Sequence, residues 1–248
     1  MDNYQFCADF ARRTIAATGP EAKILDFGCG AGKIVTLLRN SNVSAFGCDS
    51  FYGGAYGADQ CPIPTELSGV ILPMQDNLIP FPDCMFDVVL NNQVMEHVEN
   101  LDTTLAEIYR VLKPGGIVLS LFPDKGVWRE GHCGVPFLHW FPKRSKLRIY
   151  YAFFMRIIGF GYFGYYTKEL SRLQWSKNFC KWLDDWTVYR SYREISETYG
   201  KYFLPMQHIE ERWLESRLGT VVHPVPVQIK RLFVNKMAGM VFTCAKAA

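Results

Sequence analysis

"KILDFGCGAGKIVTLLRN", residues 23–40, is the stretch whose reading decides the fold. A short apolar run, Ile24 and Leu25, meets Asp26. Glycines follow at 28, 30 and 32, and a helical pattern then runs through Val35, Leu37 and Leu38. This order predicts a strand, a tight turn and a helix. Glycine lets a backbone turn sharply and come close to a ligand. The spacing is G-x-G-x-G, and a dinucleotide fingerprint would ask for glycine or alanine at position 33, where Lys33 stands. An acid two residues before the first glycine suits a ligand carrying an ammonium group better than it suits a pyrophosphate.

Working outward, "VSAFGCDSF" (43–51) predicts a second strand ending on Asp49. A carboxylate there is placed to accept hydrogen bonds from ribose hydroxyls. Residues 52–69 predict an irregular connection with a short helix. "VILPMQD" (70–76) and "MFDVVLNN" (85–92) predict strands three and four. A helix is expected from about 94 to 112, "KPGG" (113–116) is a turn, and "IVLSLFP" (117–123) is strand five. Upstream, residues 4–17 predict an amphipathic helix stopped by Gly19-Pro20. Downstream, "HIEERWLESRLG" predicts a helix closed by Gly219. "TVVHPVPV" follows as strand six, "IKRLFVNKMA" as a short helix and "GMVFTCAK" as the last strand. Apolar strands alternating with helices imply an α/β fold with a mostly parallel sheet covered on both faces.

The bulk numbers agree. In 248 residues, 49% are hydrophobic and 15% aromatic, which excludes global disorder. The net charge of +3 is too mild to define a partner. Eight cysteines include no C-x-x-C pair, so a zinc ribbon or thioredoxin-type motif is excluded. They are expected as reduced, buried, small hydrophobes. Asp2 and Asp9 interrupt an N-terminus that lacks an apolar core, so a cytoplasmic location is expected.

After Pro123 the character changes. Between residues 143 and 190, ten Lys/Arg stand against three Asp/Glu. The segment opens with "REGHCGVPFLHWFP" (129–142), which concentrates Glu130, His132, Cys133 and His139. Gly131, Gly134 and Pro136 argue against a helix, so the spacing specifies no coordination geometry and no metal is expected. "KLRIYYAFFMRIIGFGYFGYY" (146–166) is apolar but broken by Gly159, Gly161 and Gly164. It predicts a buried helical lid rather than a membrane span, with a membrane-surface element as the alternative, because Lys143, Arg144, Lys146 and Arg148 flank it. "NFCKWLDDWTVYRSYREISETYG" (178–200) predicts one helix with Trp182 and Trp186 on one face.

"ILDFGCGAGKIVTLL", "GCDSF" and "IPFPDCMFDVVLNNQVMEHVENLDTTLAEIYRVLKPGGIVLSLFP" together resemble class I S-adenosylmethionine-dependent methyltransferases, in the subgroup around quinone-biosynthesis and small-molecule enzymes. The resemblance covers roughly residues 20–123, and residues 207–247 are compatible with it. It implies a Rossmann-like, seven-stranded, mostly parallel sheet, with a helical aromatic insertion after strand five. The expected organisation is a donor-binding core over 1–123, an acceptor lid over 124–203 and completion of the sheet over 204–248. It implies S-adenosyl-L-methionine as cofactor. Gly28, Cys29, Gly30 and Gly32 would line its methionine and ribose part, with Asp26 near its amino group. Asp49, followed by Ser50, would hold the ribose hydroxyls. Gln75 and Asp76 would meet the adenine; many relatives carry an acid where Gln75 stands, which leaves the contact with the exocyclic amine open between the two. Asn92 and Gln93 would sit beneath the methyl donor. The pair Glu96-His97 is expected to be mainly structural or to border the cofactor.

Direct methyl transfer has no use for a Cys133 nucleophile. His132 and His139 remain as candidate bases or acceptor-binding groups, alongside a purely structural role within the insertion. The expected acceptor is a small molecule or a lipid- or glycan-linked group, methylated at oxygen, with peripheral membrane contact open. An RNA-modifying or RNA-binding role for the basic insertion is the alternative, although no RNA-binding module is recognisable and nucleic acid is not the expected partner.

Overall fold

The structure, a computed structural model, describes residues 1–16, 19, 21–51, 63–161 and 170–248. The connection over 52–62 and the end of the apolar stretch over 162–169 lie outside the described residues. Seven strands form one sheet. They are β1 (Lys23–Phe27), β2 (Ser44–Asp49), β3 (Ile71–Pro73), β4 (Phe86–Asn92), β5 (Leu112–Phe122), β6 (Gln207–His208) and β7 (Met240–Ala245), in the order β3-β2-β1-β4-β5-β7-β6. The first five are parallel; β7 runs antiparallel to β5, and β6 to β7. Strand order reverses between β1 and β4, so the crevice that binds ligands in such sheets opens at their carboxyl ends.

Both faces of the central strands are buried, which explains their continuous apolar runs. Side chains alternate across the pleat. Ile24, Val88, Leu90, Leu119 and Leu121 pack on one side, with α1 (Asn3–Ile15), α2 (Lys33–Arg39), α7 (Glu210–Leu218) and α8 (Val227–Met237). Leu25, Phe27, Val89, Val118 and Phe122 pack on the other, with α3 (Leu101–Val111) and α6 (Tyr192–Tyr199). In α3 the buried residues Leu101, Thr104, Leu105, Ile108 and Val111 fall at helical spacing, and the Asn100 side chain caps its first turn.

The insertion has a small core of its own. Cys133, Val135 and Leu138 pack with Ala152 and Met155 of α4 (Lys146–Ile157), and with Trp175, Phe179, Cys180, Trp182 and Leu183 of α5 (Arg172–Trp186). Buried Arg148 bonds Asp184 at 2.5 Å and the Phe141 carbonyl at 2.8 Å. Farther along, Ile195, Tyr199 and Phe203 pack into the sheet's second layer instead.

Five expectations are corrected. "KPGG" (113–116) is not a separate turn but lies within β5, which starts at Leu112. "TVVHPVPV" is not a strand: Pro224 and Pro226 cannot donate to a ladder, and the segment forms a 3-10 turn and the lead-in to α8. The sixth strand is Gln207–His208, paired with Thr243 and Phe242. The helix after β4 starts only at Leu101, because Gln93 takes a left-handed backbone and residues 94–97 form a turn. Residues 178–200 are two helices, because the chain is extended at Thr187 and a Ser191–Glu194 capping box starts α6 afresh. Finally, α4 buries only one face. Leu147, Tyr150, Phe154 and Ile157 point outward.

Candidate active site

Three strand ends build one side of the crevice. β1 runs into Gly28, whose φ of 73° and whose contact with Val94 leave no room for a side chain. A Cβ there would lie 2.4 Å from the valine methyl. Gly32, at φ 77°, caps α2, and a Cβ would meet Ile71 at 2.4 Å. β2 delivers Asp49, whose carboxylate accepts the Gly30 amide at 2.8 Å and the Phe51 amide at 2.7 Å. This carboxylate therefore fixes the glycine turn while keeping acceptor capacity for a ligand. Asp26 is buried beneath the turn. Burial, helped by the charge of Asp49, pushes its carboxyl well above the ordinary carboxylate range. A ligand ammonium group beside it would favour the ionised form again. Asn92 ends β4 with its Oδ1 buried and without a partner among the described residues.

The other side of the crevice comes from the turn after β4 and from the insertion. Arg190 ties the two together by donating to the carbonyls of Met95 (3.2 Å), Val98 (2.8 Å) and Glu99 (2.7 Å), while the Val188 amide donates to the Glu96 carbonyl. This join brings His97 and His132 together edge-on, with ring planes 72° apart and Nε2 atoms 3.2 Å apart. His97 Nδ1 lies 2.7 Å from the Trp186 carbonyl, and His132 Nδ1 lies 2.6 Å from Glu130. Glu130 is fully buried and also accepts from the Tyr189 hydroxyl (2.7 Å) and the Cys133 amide (2.8 Å). Burial acts upward on Glu130, but the hydrogen bond and charge of His132, with Tyr189 and Cys133, hold it down at about 2. Burial acts downward on His132, and Glu130 together with Glu96 outweighs it, so the imidazole is raised. Burial and His132 lower His97 to about 4. Burial pushes Glu96 up to about 7 against the pull of His132.

The two sides enclose a cleft of about 1800 Å³. That exceeds the ~300–1,000 Å³ of a single small-molecule site, so there is room for two reactants. Asp26, Gly28, Cys29, Gly30, Asp49, Ser50, Asn92, Gln93 and His132 line it. Gly32 does not; it shapes the turn from behind. Gln75 and Asp76 do not line it either. They sit in an exposed turn after the short β3, with Asp76 in left-handed backbone, and the neighbouring Met74 and Asn77 face the cleft instead. His139 is also corrected. It is 4% exposed, packs at a tilt against Tyr189 with ring centroids 4.6 Å apart inside the insertion, and lies off the cleft. Burial lowers its pKa, partly offset by Glu130 and nearby carbonyls. Sequence reasoning missed the importance of His97, Trp182 and Trp186, all of which line the cleft. Trp186 faces the opening rather than the insertion core. The adjacent Glu96-His97 pair just beyond β4 was the available signal. Its partner His132 lies 35 residues away and carries none.

Residues 25–120 match the family described as "Methyltransferase domain". The chain is 32% identical over 149 residues to a demethylmenaquinone methyltransferase of Symbiobacterium thermophilum, covering 53% of this chain and 59% of that protein. It is 32% identical over 101 residues to a ubiquinone biosynthesis O-methyltransferase of Maricaulis maris, covering 39% of each. The chain thus spans between about two-fifths and three-fifths of these relatives' lengths. Among solved structures, an S-adenosylmethionine-dependent methyltransferase from Mesorhizobium loti superposes with a TM-score of 0.50 at 12% identity, covering 98% of this chain and 100% of the other. Phosphoethanolamine N-methyltransferase 2 of Haemonchus contortus, in complex with S-adenosyl-L-methionine, superposes with a TM-score of 0.53 at 14% identity, covering 97% and 53%. At that identity the structural likeness speaks for the fold alone. The matched stretch, residues 25–120, is a methyltransferase domain, and the fold around it is the one seen in S-adenosylmethionine-dependent methyltransferases.

Proposed function

We propose that the protein transfers the methyl group of S-adenosylmethionine to a hydroxyl of a small or lipid-linked acceptor. One observation carries this reading: the glycine turn with Asp49, and His132 backed by buried Glu130, open onto the same cleft. The sulfonium methyl is already activated, so the protein's work is to align the acceptor and exclude water. Asp26, Gly28, Gly30 and Asp49 would hold the donor, and Asn92 and Gln93 would sit beneath its methyl. The acceptor would enter between His132 and Trp186. As the C–O bond forms and the C–S bond breaks, His132 is placed to take the hydroxyl proton, with Glu130 stabilising the imidazolium. Asp49→Ala tests the donor half. Calorimetry is expected to show S-adenosylmethionine affinity falling at least ~100-fold, since the variant loses both the ligand contact and the anchor of the turn; unchanged affinity would sink the assignment.

The outward face of α4 favours a lipid-linked acceptor. Leu147 is 69% and Phe154 57% exposed, with Lys143 and Lys146 alongside. Apolar side chains rimmed by cations suit an anionic membrane surface. No helix among the described residues is long and apolar enough to cross a membrane. Co-sedimentation with anionic vesicles, lost on Phe154→Glu, would support the contact. The RNA alternative gains less support, because part of the basic excess is spent internally: Arg148 on Asp184 and Arg156 over Trp175.

A further inference from the structure

The geometry points to a divalent metal site formed by Glu96, His97 and His132 at the acceptor end of the cleft, taking a zinc-like ion of borderline softness. One ligand atom from each residue lies within 4.8 Å of the others.

The hydrogen-bond bookkeeping of the two imidazoles is the first argument. His132 Nδ1 faces a carboxylate and His97 Nδ1 faces a backbone carbonyl, both of which only accept. Each Nδ1 must therefore carry the proton. In the neutral rings the two Nε2 lone pairs then point at one another across 3.2 Å. Only a positive charge shared between them makes that arrangement favourable: a proton on one ring, or a metal ion bound by both. Two imidazole nitrogens on one tetrahedral zinc, each about 2.0–2.1 Å from it, stand about 3.3 Å apart. The observed spacing matches.

The second argument is independent. Glu96 is 1% exposed, and neither carboxylate oxygen has a hydrogen-bond partner among the described residues. A buried carboxylate without a partner is costly. A cation between the imidazoles would supply what it lacks.

The third concerns the surroundings. Metal-bound histidines almost always donate their other ring N–H to a carboxylate or a backbone carbonyl, which fixes the tautomer. Both kinds of partner are present, and Glu130 is itself held by Tyr189 and Cys133. Two histidines and one carboxylate leave a coordination position open, and His97 and His132 both line the cleft.

The role of this site rests on the methyl-transfer reading; its existence does not. With the ion bound, the His132 lone pair is committed to the metal, and His132 then serves as a ligand in place of the base role it has in the metal-free reading. The acceptor hydroxyl would then bind at the open position and lose its proton to cleft water. Its oxygen would form the new C–O bond as the C–S bond breaks, leaving S-adenosylhomocysteine.

The test uses the full chain, stripped with chelator and kept free of methyl donor. Titration with Co²⁺ is expected to give ligand-field bands that saturate at one ion per chain, and Zn²⁺ is expected to displace them. His97→Gln and His132→Gln are each expected to weaken binding at least ~10-fold, and Glu130→Gln by ~10–100-fold through loss of ligand orientation. Near-UV circular dichroism confirms that each variant is folded. Cys84→Ser, at an exposed thiol, should leave the spectrum unchanged. Two results overturn the proposal: no saturable binding of either ion, or saturable binding that His97→Gln and His132→Gln leave intact. In either case nitrogen NMR should show an Nε2–H shared between the imidazoles whether or not Zn²⁺ is added. Because no donor is present, these failures leave the methyl-transfer reading standing, which Asp49→Ala tests separately.

Discussion

At the donor end of the cleft, the lining groups come from the ends of β1, β2 and β4 and are fixed by backbone contacts: Gly28 against Val94, and Gly30 and Phe51 on Asp49. At the acceptor end, His97, His132 and Trp186 come from three separate segments; Arg190 holds the turn after β4 against the insertion, and Glu130 orients His132 within it. The first end follows from a fold that many chains share. The second depends on how one insertion happens to land. Donor affinity should therefore depend on the glycine turn and the Asp49 carboxylate that pins it, whereas single side-chain changes at the acceptor end should leave donor affinity intact.

The largest expected effect separates the two ends directly. His132→Ala should lower turnover by ~10²–10⁴-fold while leaving S-adenosylmethionine affinity unchanged by calorimetry. His139→Ala should retain turnover and lose stability alone. Full activity in both variants would show that neither imidazole serves the reaction. Next comes the insertion's own anchor. Asp184→Ala leaves the buried Arg148 guanidinium without its carboxylate, at a cost of about 3–5 kcal/mol. Chemical denaturation should show the insertion unfolding ahead of the sheet; a single unaltered transition would mean that the pair is dispensable.

A smaller effect is expected at the donor turn. Gly28→Ala forces a side chain into a left-handed backbone and against Val94, for roughly 2 kcal/mol, so the melting temperature and donor affinity should fall together. A stability loss with affinity unchanged would uncouple the turn from the site. The smallest effect belongs to α4. Phe154→Glu on its outward face should change stability by less than about 0.5 kcal/mol, yet abolish vesicle binding. A large loss of stability would show that this face is covered within the protein.

Local chemistry made much of the molecule legible. Glycine spacing, apolar runs buried on both faces and an acid at the end of the second strand are short-range patterns. They placed strands one, two and four and the centres of strands three and five, together with Asp26, Gly28, Gly30 and Asp49, where the structure has them, although β5 starts at Leu112 and takes in the expected KPGG turn. Some misreadings passed over local signals, such as Pro224 and Pro226 or the Ser191–Glu194 capping box, and others concern segments whose fate a neighbour distant in sequence settled. "TVVHPVPV" has β-branched residues but lacks the amide donors an inner strand needs, and the place beside β7 goes to Gln207–His208. Nothing local distinguishes His132 from His139, seven residues apart on the same loop. Only packing turns one toward His97 and buries the other on Tyr189. Sequence alone therefore determined the sheet and the donor turn, because both follow from backbone geometry and nearest-neighbour patterning. Tertiary structure decided the acceptor end, because the opposed imidazoles and the unpartnered Glu96 exist only once strands four and five have brought their following loops together.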